Sequence, residues 1–84
     1  MRLSVEDTRT GKVLKIDVKE HHIIERIIEI VIRHMGFIHS EQRSYALVYN
    51  EQELPSSITI KDATHKFGIK DDDKLILWTK IIGG

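Results

Sequence analysis

The residues of this chain best suited to covalent chemistry are the last two of "LILWTKIIGG". A carboxylate on Gly84, preceded by Gly83, sits on backbone with no side chains. Such a segment can be gripped by main-chain hydrogen bonds in a narrow cleft of another protein, where a bulkier residue would block entry. The competing reading is a frayed end, because chain termini are often poorly ordered. Other candidate groups fall away on their spacing. Of the five histidines, His21 and His22 are adjacent, while His34, His39 and His65 stand apart, and no H-x₃-H pair occurs. The run Asp71-Asp72-Asp73 lacks the alternating oxygen ligands and distal glutamate of a calcium loop, and reads as an exposed acidic turn before Lys74. There is no cysteine, hence no thiolate nucleophile, thiolate metal site or disulfide, as suits a reducing compartment. No Ser/His/Asp grouping has a helpful local context, and a domain this small offers no sizeable catalytic cleft. The expectation is a protein that is not an enzyme, with no catalytic residue, no metal site and no bound cofactor.

At 84 residues the chain makes one domain. It buries only about 60% of its unfolded surface, so the core is modest. Apolar residues make up 40% and charged residues 31%, as in a globular protein. Thirteen basic and thirteen acidic residues cancel, which gives no overall electrostatic reason to bind nucleic acid or an anionic membrane. The start, "MRLSVEDTRT", has no apolar signal core, and "IIERIIEIVI" is broken by charges and too short to span a bilayer. A cytoplasmic monomer is expected.

Two alternating runs, "MRLSVED" and "KVLKIDVK", flank the turn cluster "TRTG" and predict a β-hairpin. Leu3 and Val5 share one face of the first run; Leu14, Ile16 and Val18 share one face of the second. In "HHIIERIIEIVIRHMG" the period changes. Glu25, Arg26, Glu29 and Arg33 fall on one helical face, and Ile24, Ile27, Ile28, Val31 and Met35 on the other. Ile and Val are mediocre helix formers, but the period outweighs the propensity. His22 is placed as the N-cap, with Glu25 as half of a capping box, Glu29 and Arg33 as an i,i+4 pair, and Gly36 as the C-terminal stop. "SYALVY" predicts a strand, "NEQE" a turn, and Leu54 the start of a very short strand. Asp62 is expected to cap a single helical turn over Ala63 to Lys66, with Gly68 as its exit. "KLILWTK" predicts the last strand. The order is ββ, α, β, β, short helical turn, β, an α+β domain over 1–80 with a flexible tail at 81–84.

Parity along the last strand separates Leu75, Leu77 and Thr79 from Lys74, Ile76, Trp78 and Lys80. The lysines mark the second set as wetted. In "YALVY" the larger set, Tyr45, Leu47 and Tyr49, is assigned to the core, which leaves Val48 outside with Ile76 and Trp78. An exposed apolar cluster rimmed by charge marks a contact surface, and tryptophan is enriched at interface hot spots. Singly exposed apolar residues are also ordinary and need no function.

The ordered set "MRLSV", "TGK", "IIERI", "GFIHSEQ", "YALVYNEQEL", "FGIKDDDKLIL" and terminal "GG" resembles ubiquitin and the ubiquitin-like modifiers, which have the β-grasp fold. The resemblance covers nearly the whole chain. It implies a mixed sheet of about five strands wrapped around one long helix. It also implies that an activating enzyme uses ATP and Mg²⁺ to adenylate the Gly84 carboxylate. The acyl group then passes to enzyme cysteines as a thioester and to a lysine of a target protein as an isopeptide bond. Activating and conjugating enzymes, a deconjugating protease and target proteins are the implied partners. Val48, Ile76 and Trp78 align with the family's apolar patch. Lys80 aligns with a basic tail residue that activating enzymes read, although lysine lacks the bidentate geometry of arginine. The chain also departs from ubiquitin. Thr8 and Arg9 stand where ubiquitin has a patch leucine, Gln52 replaces a chain-linking lysine, and extra residues lie between Leu54 and Ile69. Two alternatives stay open. One is a β-grasp sulfur carrier, in which the same carboxylate becomes a thiocarboxylate. The other is a non-covalent ubiquitin-like binding module, since fold alone does not assign function.

Overall fold

The computed structural model describes residues 1–37 and 43–81. Strands β1 (Arg2–Asp7), β2 (Val13–Asp17), β3 (Arg43–Tyr49), β4 (Gln52–Glu53) and β5 (Lys74–Ile81) form one sheet in the order β2-β1-β5-β3-β4. β5 runs parallel to β1 and antiparallel to β3, so the sheet is mixed and the last strand lies at its centre. Helices α1 (Ile24–His34) and α2 (Ile60–Phe67) complete a small α+β domain. The element order is the one expected. The expected long helix is shorter, at eleven residues, and the expected helical turn is an eight-residue helix.

The core lies between one face of the sheet and α1. Leu3, Val5, Leu47, Leu75 and Leu77 from the sheet meet Ile24, Ile27, Ile28, Val31 and Met35 from the helix, and Val18, Leu54, Ile60, Ala63 and Ile69 close the sides. The helical face drawn from the 3.6-residue period is therefore the buried one. Ile32 joins it, which widens the apolar stripe. The exposed face carries an Arg26–Glu29 pair at 3.3 Å, spaced i,i+3, in place of the expected Glu29–Arg33 contact.

Both helix starts correct the sequence reading. The N-cap of α1 is Ile23, and no side chain caps it. His22 instead accepts the Lys19 N–H through Nδ1, within the turn before the helix. The free N–H groups of Ile24 and Glu25 are satisfied by the carbonyls of Ile58 and Ser56, both at 2.9 Å. At α2 the cap is Thr59, whose side chain accepts from Asp62 N–H at 3.1 Å, so Asp62 is capped and does not cap. The N–H groups of Ile60 and Lys61 reach back to the carbonyls of His22 and Glu20. Each helix start is thus held by the loop that precedes the other. This exchange satisfies donors that would otherwise be orphaned. The exit of α1 follows the expectation. Gly36 takes φ 75, its N–H bonds to Arg33 O, and Phe37 N–H bonds to Ile32 O, the paired closure of a Schellman motif.

The β3–β4 hairpin turns through Asn50 and Glu51 at φ 53 and 68, both left-handed, as a two-residue type I′ turn requires. The short strand covers Gln52–Glu53 and ends before Leu54, which is buried and donates its N–H to Leu47 O.

Candidate functional site

The side of the sheet away from α1 presents the candidate surface. Alternation along β5 puts Leu75 and Leu77 fully in the core and leaves Lys74, Ile76, Trp78 and Lys80 on the outer face. In register, Ile76 lies opposite Val48 on β3 and Glu6 on β1, and Trp78 lies opposite Ala46. Trp78 is 50% exposed, the most open aromatic among the described residues, and Ile76 is half-buried. The face assignment of Ile76, Trp78 and Lys80 agrees with parity.

Val48 departs from expectation. It belongs to the outer face, in line with Ile76 and Glu53, yet only 6% of it is exposed. The reason lies in its neighbours. Glu53 on β4 and Lys80 on β5 form an ion pair, and β3 runs between those strands. The bridge therefore crosses the outer face of β3, where Ala46 and Val48 sit. Val48 is part of the floor of this surface, and Trp78 and Ile76 are its accessible apolar atoms. Lys80 likewise lies inside β5, bound to Glu53, and not in a tail.

Two more ion pairs lie on this face, while Lys15 of β2 has no ion-pair partner among the described residues. Lys74 pairs with Glu6 at 3.5 Å, and Arg2 pairs with Asp17 at 3.3 Å. These exposed pairs each stabilise by only about 0–1 kcal/mol. Val13 on β2 was not singled out by sequence, yet it is 52% exposed on the same face, opposite Glu6. Its signal was available, because Val13 shares parity with Lys15 and Asp17. Arg9 turns away from this face, its guanidinium 5.1 Å from the centre of the Phe37 ring.

The acidic turn is structural. Asp71 accepts the Arg2 N–H at 2.7 Å, and Asp73 accepts the Lys70 N–H at 2.8 Å and the Tyr49 hydroxyl at 2.7 Å. The Lys70 N–H foremost, with the Tyr49 hydroxyl, holds the Asp73 carboxyl below its ordinary range, while the hydrogen bond to Asp73 pushes the Tyr49 phenol up. Among the described residues no group of three or more His, Cys, Asp or Glu side chains could hold a metal ion. No described helix is long and apolar enough to cross a membrane.

The expected conjugation residues, Gly83 and Gly84, lie outside the described residues, as does His39. β5 extends to Ile81, so only Ile82 separates the end of the strand from Gly83. No protein-family model matches the chain, and neither does any curated protein.

Proposed function

We propose that this chain is a ubiquitin-like protein modifier with a β-grasp fold, acting within the cytoplasm. In this reading the carboxylate of Gly84, once free, is adenylated by an activating enzyme using ATP and Mg²⁺. It is then carried as a thioester and transferred to a lysine amine of a target protein. The chain supplies the acyl group and a docking surface; its partner enzymes supply the catalytic groups. The observation that carries the reading is where the diglycine stands in the sequence relative to β5. In the sequence it follows the central strand of the sheet with one residue between, and it carries no side chains that would obstruct a narrow cleft. The mixed five-stranded sheet with α1 across one face is compatible with the β-grasp that the sequence resemblance implies. Trp78 and Ile76 give the partner enzymes an apolar contact bordered by the Lys74–Glu6 and Lys80–Glu53 ion pairs.

The test is mass spectrometry of tagged protein recovered from its native cells, followed by peptide mapping for lysines that carry a remnant ending in Gly84. Branched lysine peptides that vanish when Gly84 is deleted support the modifier. Replacement of one terminal oxygen by sulfur, without branched peptides, supports the sulfur carrier instead. If neither modification occurs, the covalent readings fail, and the Trp78 face remains as the surface of a non-covalent module.

A further inference from the structure

The two edges of the sheet are finished differently. β2 is an edge strand along its whole length and carries Lys15 and Asp17 as exposed, outward side chains, with Lys12 and Lys19 at its ends. Charges of this kind discourage a further strand from adding. β3 is only partly covered, because β4 pairs with Val48 and Tyr49 alone and the last contact on that side is Leu54 N–H to Leu47 O. Backbone groups of an antiparallel strand alternate in direction. Since the Leu47 carbonyl points towards β4, the N–H and C=O of Tyr45 and Arg43 point the same way. Among the described residues no strand pairs with them there.

Directly beneath this bare edge, a groove of about 220 Å³ runs between β3 and α1. Among the described residues, Ile28, Ile32 and Tyr45 contribute its apolar lining, and Glu25 and Glu29 contribute charge. Glu29 shares an ion pair with Arg26, whereas Glu25 has no ion-pair partner among the described residues. One end is closed where Ser56 O accepts the Glu25 N–H. Among the described residues, a backbone edge without a partner strand, an apolar slot and a carboxylate without an ion-pair partner therefore stand side by side.

We propose that the edge of β3 at Arg43–Tyr45 accepts an extended segment of a partner protein. The segment is apolar at alternate positions and carries a lysine or arginine that pairs with Glu25. Main-chain hydrogen bonds to Tyr45 supply affinity, and the slot and the carboxylate supply specificity. A second copy of this chain fits less well, because pairing β3 with itself about a two-fold axis gathers the Glu25 and Glu29 carboxylates of both copies around one interface. The inference does not depend on conjugation through Gly84.

The test is an NMR titration of the full chain with two synthetic peptides, acetyl-Lys-Val-Lys-Val-Lys-Val-Lys-amide and its glutamate counterpart. The lysine peptide is expected to shift the Tyr45 and Leu47 amides and slow exchange at Tyr45. It should bind about tenfold or more tightly than the glutamate peptide, as charge complementarity requires. Glu25→Lys, on an exposed helix position, should weaken the lysine peptide roughly fivefold or more, with remote amides unmoved. Lys15→Glu on β2 should leave binding unchanged. The proposal is overturned if the shifts map to Val13–Asp17 or to the Trp78 face, or if both peptides bind alike. It is equally overturned if Glu25→Lys has no effect, if the lysine peptide fails to bind, or if the Tyr45 amide responds to protein concentration alone.

Discussion

Leu75 and Leu77 on one side of β5 are wholly buried, whereas Ile76 and Trp78 on the other are half-buried and half-exposed, although the two pairs alternate along a single strand. The inner pair packs against α1 and is needed for the fold. The outer pair has only strand neighbours, and its large apolar surfaces exceed what the fold consumes. The same side-chain chemistry therefore does structural work on one face and remains free for binding on the other. The sharpest way to break this comparison is Leu77→Ala. Leu77 has no exposed surface, so the truncation should cost about 2–5 kcal/mol, in line with other buried leucines. Urea denaturation followed by circular dichroism measures it. A cost near zero would mean that the inner face of β5 is not the core.

The acid–base pair at the start of β5 gives the next effect. Asp73 has a lowered folded pKa, so it contributes stability above its unfolded value near 4, lost as pH falls through the lower folded value. Tyr49 has a raised pKa, so its contribution is complete below about 10 and is lost as pH rises through the folded value. Urea midpoints should therefore be flat across neutral pH and fall at both extremes. Tyr49→Phe should remove the alkaline loss contributed by Tyr49 and reduce the acid loss contributed by Asp73. Unchanged limbs in the variant would show that the Tyr49–Asp73 hydrogen bond does not form in solution.

A smaller effect of opposite sign should come from the inner face itself. Tyr45 and Thr79 are cross-strand neighbours there, and the hydroxyl of each is buried with no partner among the described residues. Thr79→Val and Tyr45→Phe keep shape while removing an unpaired polar atom, and each should stabilise by about 1 kcal/mol. Thermal unfolding of the two variants checks this. Destabilisation by either would mean that its hydroxyl has a partner.

Local rules made the elements legible, and contacts made at a distance hid the rest. The hairpin, the buried face of α1 and the parity of β5 follow from periods of two and 3.6 residues, which any stretch of sequence displays. The start of α1 was not legible, because its donors are met by Ser56 and Ile58, and no local residue signals a cap supplied by a remote carbonyl. The burial of Val48 is hidden from the sequence for the same kind of reason. Its parity was right, but its burial depends on Glu53 and Lys80, from two other strands, closing above β3. Val13 shows the converse: its parity was readable and its exposure follows from it, but a lone valine beside lysines carries no chemical signal.

Trp78 gives the most direct reading of the outer face. Trp78→Ala removes a side chain that is half in water and packs mainly on strand neighbours, so unfolding free energy should fall by about 1–2 kcal/mol, less than for the fully buried Leu77. Because Trp78 is the only tryptophan in the chain, its fluorescence in the unmodified protein reports this face alone. The folded emission should already be red-shifted and readily quenched by acrylamide, and unfolding should change it little. A partner that docks on Trp78 and Ile76 would shift the emission to the blue and shield it from the quencher. A folded emission that is blue-shifted and protected without any partner would instead place Trp78 in a dry environment. The contrast between the two faces of β5 would then collapse, and with it the reading of the outer face as a binding surface.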